Sequence, residues 1–492
     1  MSLNKILIPF IIINLLIIIT GYIFGFSKSL WLDELLSVIF SREIIGLPLK
    51  ETFTTYPHPP FFYVVLNIGE HIIKFFTLDV NDNLSYLKLV NLIGLIPIYL
   101  SFKILKKERT PINLYIVFLL LISSNYFIFY ILDLRPYFLL LSFSLLVNVL
   151  NLTNTLDNKH KSLFLISAIV LSALHIYGLA ISMSIISYRL MLNLFKKDYY
   201  TVKINIIFSI ILFFVFLIFY LLQITDKETM ATLEYIKINF WYFRIFIEWT
   251  ISSLTYIFAF STILFFQFRK NILSLGSIKD YLRSDFLKTT MSLSLPAIIL
   301  VVVIMSISYL IIPIIHFKPL IVIFPSLVLY SGIIGFYLKK TKMILFVFLV
   351  FLIFLSSNNL FSYLKNIKYA SQNVEWVIKK TFTKSCKGTD VYFNDKNKSG
   401  FVKIAKQISE IYSIYDRPIK SLSEIDISNH KAKYNKVKCD TLIFSFHNYG
   451  LENLIEKKLS KKFNLTIKYA PDVVNENSSK AGAVVYLNEE SK

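Results

Sequence analysis

The sequence predicts a polytopic α-helical membrane protein that ends in a small α/β domain. Of its 492 residues, 55% are hydrophobic and 16% are aromatic, and the mean hydropathy is +0.61, above the usual composition of a soluble globular domain. Apolar runs that approach the about 20 residues needed for a membrane-spanning helix recur between residues 6 and 358. Beyond residue 358 such runs stop, which indicates a soluble C-terminal region.

Basic residues set the predicted orientation of the spans. The net charge is +21, and the lysines and arginines gather at the ends of apolar runs, where they anchor helices against anionic lipid. This placement argues against a nucleic-acid partner. With Lys5 inside, the basic turns all fall on the cytoplasmic side, in agreement with the positive-inside rule. These turns are 103–109, 159–161, 189–203, 269–288 and 339–342.

The spans follow from run length and from the charges inside each run. Ile6–Phe26 is expected to be a retained span, because it exceeds a signal-peptide core and lacks a small-residue cleavage site. The segment Pro59–Phe76 is expected to lie at the interface, since its short apolar stretch soon meets Glu70, His71 and Lys74. About eleven spans result, at 6–26, 84–105, 112–131, 136–152, 162–176, 178–195, 204–223, 246–266, 290–312, 319–338 and 342–358.

This topology places the C-terminal domain, residues 359–492, on the outer face, together with the loop 27–83. Its sequence predicts strands at Asp390–Phe393 and Thr441–Ser445. It also predicts helices at Lys403–Ile414 and Glu452–Lys461.

The two cysteines of the chain, Cys386 and Cys439, both lie in this outer domain. An oxidising compartment permits a disulfide between them. Their spacing is equally compatible with two unpaired buried thiols.

The outer face also carries the candidate working groups. Asp33 and Glu34 lie just beyond the first span, where they either act chemically or cap an interfacial helix that runs to about Ile44. Asp133 and Arg135 stand at the mouth of the fourth span, where they form an ordinary ion pair or a functional site.

Four motifs together resemble a known family. These are Asp33-Glu34 after the first span, His58-Pro59-Pro60 opening a surface helix, Arg135-Pro136-Tyr137 opening the fourth span, and His175-Ile176-Tyr177 in the next outer turn. In order and spacing they resemble the bacterial relatives of dolichyl-phosphate-mannose protein mannosyltransferases, over residues 1–340. These are GT-C fold glycosyltransferases, a group that includes the enzyme adding aminoarabinose to lipid A.

The resemblance implies a multi-pass protein of the bacterial inner membrane, with residues 1–358 as a GT-C-like catalytic domain. It implies transfer of a hexose or pentose from a polyprenyl-phosphate carrier to a lipid, glycan or protein acceptor at the outer face. For an inverting displacement, Asp33 is the expected base, with Glu34 as a companion and Asp133 orienting a substrate.

The same resemblance implies a binding site for the donor phosphate. Arg135, Tyr137 and His175 are the expected phosphate ligands. Lys318 is a further expected phosphate ligand and stands where relatives usually show Arg-Tyr. Lysine lacks the planar fork with which arginine binds phosphate. Lys318 is equally compatible with a lysine that only reaches to the membrane interface. His175 is equally compatible with a turn histidine that bonds the backbone.

Metal chemistry is an open alternative. In some relatives positions equivalent to His58 and His316 hold a divalent ion, but two imidazoles alone bind metals weakly. The expectation is that no cofactor is required.

Two other functions remain as alternatives to a glycosyltransferase. A transporter or flippase of lipid-linked saccharides typically shows inverted repeats and Gly/Pro-broken helices near the bilayer midplane; this sequence has 13 glycines and no evident repeat. A polysaccharide polymerase or ligase is expected to carry a large late outer loop between two spans, which the predicted spans do not leave room for.

Overall fold

The computed structural model describes most of the helical portion of the chain and the strands of a C-terminal sheet. The described residues are 3–26, 30, 32–46, 59–76, 84–153, 158–221, 285–310, 319–337, 357–358, 361, 374, 377–378, 381, 391–393, 405–410, 419–421, 441–445, 464–469 and 483–488.

The described helices are numbered here in chain order. They are α1 (Leu3–Phe26), α2 (Leu32–Glu43), α3 (Phe61–Phe75), α4 (Leu95–Lys107), α5 (Leu114–Ile122), α6 (Asn125–Tyr130), α7 (Tyr137–Leu152), α8 (Asn158–Leu174), α9 (Ile176–Phe195), α10 (Tyr199–Phe216), α11 (Asp285–Leu310) and α12 (Phe324–Tyr337). Short 3-10 segments, Leu84–Gly94 and Pro319–Ile323, lead into α4 and α12, and Leu217–Leu221 continues α10 as a π-helical turn.

The described chain is mostly helical, and three of its helical segments are long and apolar enough to cross a membrane. They are Leu84–Lys107, α9 and α10. Shorter apolar helices lie within α1, α7, α8, α11 and α12. The predicted span 246–266, and 342–358 apart from its last two residues, lie outside the described residues. The total of eleven spans therefore stays a prediction.

One predicted span is corrected. Residues 112–131 do not form a single helix, because α5 ends at Ile122 and α6 begins at Asn125. The Ser124 hydroxyl caps α6 by accepting a hydrogen bond from the Phe127 N–H at 3.1 Å. Neighbouring Ser123 donates to Asn14 Oδ1 of α1 at 3.1 Å. A serine hydroxyl that bonds to a nearby backbone N–H, as Ser124 does, competes with a continuous helix.

Helix α7 lies at the centre of the helical bundle. Fifteen of its sixteen residues are buried, and it packs against α4, α8, α11 and α12. Two polar contacts tie it to the chain around α12: Ser144 Oγ donates to the Val322 carbonyl at 2.7 Å, and Ser326 Oγ donates to Asn148 Oδ1 at 2.9 Å. Hydroxyl and amide contacts of this kind join helices where apolar lipid provides no hydrophobic drive.

Two glycines permit close contacts between helices. A Cβ atom at Gly178 would overlap the carbonyl of Leu171, so α8 and α9 meet backbone to backbone at the corner between them. A Cβ atom at Gly94 would lie 2.7 Å from the Phe138 ring, where α4 meets α7. Small residues at helix contacts are typical of membrane bundles.

The chain divides into two compact units. The first comprises Met1–Ile23, Glu43–Leu66 and Lys88–Phe361, and the second comprises Phe24–Arg42, Asn67–Leu87 and Ser362–Lys492. The predicted domain boundary after residue 358 stays a prediction.

In the second unit, α2 and the C-terminal half of α3 are joined by polar contacts. Glu70 is buried and receives three hydrogen-bond contacts from Arg42, at 3.1, 3.2 and 2.7 Å, while the Lys74 ammonium lies 2.8 Å from its Oε1. Burial raises the pKa of the Glu70 carboxyl, but the hydrogen bonds and charges of Arg42 and Lys74 outweigh it and hold that pKa below its ordinary value. Asn67 Nδ2 donates to the Ser41 carbonyl at 2.8 Å.

Helices α2 and α3 lie where helices were predicted, and their location at the membrane surface stays a prediction. Helix α2 spans Leu32–Glu43, and α3 begins directly after Pro60, as the prolines predict. The side chains of Val64, Ile68 and Ile72 form an exposed apolar stripe along α3, which suits a helix lying in a membrane interface.

The C-terminal strands form one mixed five-stranded sheet. The strands are β1 (Val391–Phe393), β2 (Ile419–Ser421), β3 (Thr441–Ser445), β4 (Asn464–Tyr469) and β5 (Ala483–Asn488), in the order β2-β1-β3-β5-β4. Strand β1 is parallel to β2 and β3, and β5 is antiparallel to β3 and β4. Strands β1 and β3 lie where the alternating patterns predict them.

The helices predicted for this region are described only in part. Residues 405–410 are helical, inside the predicted helix Lys403–Ile414. Cys386, Cys439 and the predicted helix Glu452–Lys461 lie outside the described residues.

Candidate functional site

The turn that joins α6 to α7 carries the polar residues Asp133 and Arg135. It is closed by the Arg135 N–H, which donates to the Asp133 carbonyl at 2.7 Å. Pro136 then adopts helical dihedral angles with φ −65°, so the residue that predicted the helix start also forms it. Both polar side chains are partly exposed at this helix mouth.

Asn91 holds this turn in place. Its Nδ2 lies 2.7 Å from the carbonyl oxygen of Asp133 and 3.2 Å from those of Tyr130 and Ile131. The Asn91 side chain is fully buried, and its Oδ1 accepts no hydrogen bond within the described chain. Asn91 was not among the predicted site residues, although an amide inside an otherwise apolar span is a signal of a functional position.

The structure brings together three of the four residues predicted to bind phosphate, namely Arg135, Tyr137 and His175. The Arg135 guanidinium carbon lies 5.0 Å from the centre of the Tyr137 ring. The rings of Tyr137 and His175 are 6.4 Å apart, and those of His175 and Tyr177 are 5.4 Å apart. Arginine stacked on an aromatic face keeps its planar fork oriented. The cluster therefore combines a partly exposed cation with buried aromatic and imidazole rings.

His175 occupies the single-residue break between α8 and α9. Its backbone is extended, and its Nδ1 accepts a hydrogen bond from the Tyr177 N–H at 3.2 Å, which caps α9. An imidazole that accepts at Nδ1 carries its proton on Nε2 when neutral. The backbone contact that was expected as an alternative is therefore present.

Tyrosines of α6 extend the cluster toward α12. The Tyr130 and Tyr137 rings are 5.1 Å apart, Tyr126 stacks on Tyr130 at 6.2 Å, and Tyr126 meets Phe324 at 5.1 Å. All four rings are buried. Tyr126 and Tyr130 were not among the predicted site residues, since tyrosine in a span has no distinctive spacing.

The predicted acidic pair lies in the first turn of α2. Asp33 is partly exposed and Glu34 is buried. Ser37 Oγ donates to the Asp33 carbonyl at 3.0 Å, one turn along the helix. Carboxylates at this position favour the positive end of the helix dipole, as the alternative interpretation expected. This pair belongs to the second compact unit and the Arg135 cluster to the first.

Three predicted site residues, His58, His316 and Lys318, lie outside the described residues. Across the ranges that are described, no three His, Cys, Asp or Glu side chains are grouped as metal ligands. A further cation, Lys88, was not anticipated: it is buried in the 3-10 segment that leads into α4, three residues before Asn91.

No protein-family model matches the chain, and no curated protein matches it either. Among solved structures, the chain is similar to ArnT from Cupriavidus metallidurans bound to undecaprenyl phosphate, with a TM-score of 0.56 and 10% sequence identity over 98% of both chains. The apo structure of the same protein gives a TM-score of 0.54 and 10% identity over 97% of both chains. The likeness shows that the chain shares a mostly helical fold with ArnT, as the resemblance of the motifs implies, while the number of spans and the outer location of the C-terminal domain stay predictions.

Proposed function

We propose that this protein is a membrane glycosyltransferase that moves a sugar from a polyprenyl-phosphate carrier to an acceptor on the outer face of the membrane. The observation that carries the proposal is the fold likeness, over 98% of both chains, to a protein crystallised with undecaprenyl phosphate. The acceptor is a lipid, a cell-surface glycan or a protein, and the sugar is a hexose or a pentose.

The proposed reaction is an inverting displacement. The acceptor hydroxyl oxygen attacks the anomeric carbon, the bond from that carbon to the phosphate oxygen breaks, and the polyprenyl phosphate departs with the electron pair. Asp33 accepts the hydroxyl proton as general base. Its place in the first turn of α2 puts the carboxylate at the positive end of the helix dipole. Glu34 is proposed as its companion, and Asp133 as a group that orients a substrate.

The departing phosphate needs positive charge and hydrogen-bond donors. Arg135 offers its guanidinium from a position over Tyr137, which limits the orientations of the fork. His175 is proposed as a second phosphate ligand, because its ring lies 6.4 Å from the Tyr137 ring beside the guanidinium. Asn91 acts indirectly, since it fixes the turn on which Asp133 and Arg135 stand. Lys318 is proposed as a further cation for the same phosphate.

The proposal requires no cofactor. His58 and His316 remain candidate ligands of a divalent ion, but two imidazoles without further ligands bind such ions weakly. The proposed location is the bacterial inner membrane, with the C-terminal domain on the extracytoplasmic side.

The test is reconstitution of the purified protein with a panel of polyprenyl-phosphate sugars and membrane acceptors. Asp33→Asn is expected to lower transfer by at least about 10²-fold while donor binding is retained, because the base is lost and the shape is kept. Asp198→Asn is the matched control: Asp198 caps α10 by accepting from the Thr201 N–H, and asparagine caps equally well. Equal transfer by wild type and Asp33→Asn would remove Asp33 from the reaction.

A further inference from the structure

Arg189 of α9 is a buried cation that the proposed reaction does not use. Its Nε donates to Asn151 Oδ1 at 2.9 Å, and its Nη2 donates to the Leu150 carbonyl at 2.6 Å. Its guanidinium carbon lies 4.3 Å from the centre of the Phe164 ring. Its Nη1 is buried and has no acceptor, and within the described ranges no carboxylate forms an ion pair with Arg189.

The neighbours of Arg189 satisfy some of its donors without cancelling its charge. The Leu150 carbonyl belongs to the last turn of α7, the negative end of that helix dipole, and the Phe164 ring offers its π face. Both are neutral groups, and a buried cation without an anion is costly. The free Nη1 donors therefore favour an anionic ligand.

The guanidinium lies near one end of the bundle. Leu150 is two residues from the end of α7, a rise of about 3 Å, so the charge lies at the level of the helix ends. The predicted topology makes this end cytoplasmic, opposite to the Arg135 cluster. Further cations surround this end on α8, on α10 and in the turn between α9 and α10. They are Lys161, which lies 4.9 Å from the Tyr200 ring centre, and the exposed Lys196, Lys197 and Lys203.

Two more buried polar side chains, on helices that pack against α9, lack partners within the described chain. Both amide atoms of Asn205 on α10 are unsatisfied, and Phe208, one turn further, stacks on Phe164 at 6.2 Å. Thr290 Oγ1 on α11 is also unsatisfied. Thr290 lies two residues before Ser292, whose carbonyl accepts a hydrogen bond from Asn151 Nδ2 at 2.7 Å. These neighbouring helices therefore add unsatisfied hydrogen-bond donors and acceptors.

We propose that Arg189 is a binding residue for a phosphate group at the cytoplasmic end of α7, α9 and α10. The surrounding lysines draw an anion to this end, and the free Nη1 pair supplies charge-assisted hydrogen bonds to its oxygens. The phosphate belongs to an anionic lipid headgroup or to a free phosphate ion. The site is independent of the proposed transfer reaction, which uses groups at the other end of the bundle.

The test measures binding by the purified full-length protein in nanodiscs. Phosphatidylglycerol, diluted into phosphatidylcholine, is titrated against thermal stability and against lipid retention in native mass spectrometry. Arg189→Gln is expected to weaken the apparent affinity about tenfold or more, the effect of losing a charge-assisted hydrogen bond. Arg109→Gln, the same change at an exposed cytoplasmic-side arginine, is expected to change it less than twofold.

A second variant separates binding from folding. Asn205→Leu removes two unsatisfied polar atoms and is expected to raise stability in phosphatidylcholine alone, while the phosphatidylglycerol effect falls. A separate titration with inorganic phosphate identifies the source. Stabilisation of wild type but not of Arg189→Gln by inorganic phosphate assigns a free ion, and a response to the lipid alone assigns a headgroup. Equal losses in Arg189→Gln and Arg109→Gln, or no response to either probe, would overturn the proposal.

Discussion

The contact between Glu70 and Arg42 allows the sharpest test of how α2 and α3 are held together. Glu70→Gln keeps the side-chain shape and removes the charge that Arg42 and Lys74 approach at 2.7 and 2.8 Å. Breaking a fully buried pair costs about 3–5 kcal/mol. Because Arg42 is 30% and Lys74 43% exposed, both cations regain hydration in the variant. We therefore expect a loss of about 2 kcal/mol.

Hydrogen exchange measures this loss where it occurs. Amides of α3 that exchange through local opening should become about thirtyfold faster in Glu70→Gln, since each 1.4 kcal/mol is a factor of ten. The matched control is Glu410→Gln, whose Lys406 partner lies 3.9 Å away with both side chains about half exposed. That change should alter exchange near residue 410 about twofold at most. Equally small effects at both positions would show that the Glu70 contacts do not hold α3 in place.

The contact between Glu70 and Arg42 also predicts that the stability of α3 depends on pH. The pKa of Glu70 lies below its ordinary value in the folded protein. Its stabilising contribution is therefore complete above the unfolded pKa of about 4.3 and is lost as the pH falls through the lower folded pKa. The difference in α3 protection between wild type and Glu70→Gln should stay constant from pH 7 to about pH 5.5 and shrink below pH 4.

Two further predictions concern the bundle and the site. Gly178→Ala should lower the free energy of unfolding in detergent by about 3 kcal/mol or more, because its Cβ overlaps the Leu171 carbonyl. The control is Gly46→Ala, whose Cβ would lie 3.8 Å from its nearest neighbour and which should change the free energy of unfolding by less than about 0.5 kcal/mol. Similar losses in both variants would contradict the close contact between α8 and α9. Asn91→Leu should weaken binding of undecaprenyl phosphate about tenfold, because the turn that carries Arg135 loses its anchor. Unchanged binding in a calorimetric titration would show that the turn keeps its conformation without the Asn91 side chain.

Local chemistry explains which elements could be predicted. Pro60 and Pro136 begin α3 and α7, and His175 separates α8 from α9, because each acts on the backbone within a few residues of itself. The break at Ser123 and Ser124 was missed for a related reason. Serine is compatible with a span, and the sequence does not show that Ser124 caps α6 or that Ser123 bonds to Asn14, 109 residues away.

The sequence predicted which residues belong to the site better than it predicted how they are arranged. Arg135, Tyr137 and His175 came from a resemblance of motifs, and the structure brings their side chains together. Asn91 had no motif and was found only from its contacts to the turn. The roles assigned to Asp33, Glu34 and Asp133 stay predictions.

Composition and local pattern were enough to predict a mostly helical membrane protein and the positions of most described helices. Apolar run length, proline positions and helix caps act along the chain and need no knowledge of neighbours. Which polar side chains meet, such as Glu70 with Arg42 or Arg189 with Asn151, could be seen only in the folded protein. Those contacts join residues 28 and 38 positions apart, and they exist only because helix packing sets the depth and rotation of each helix against the next.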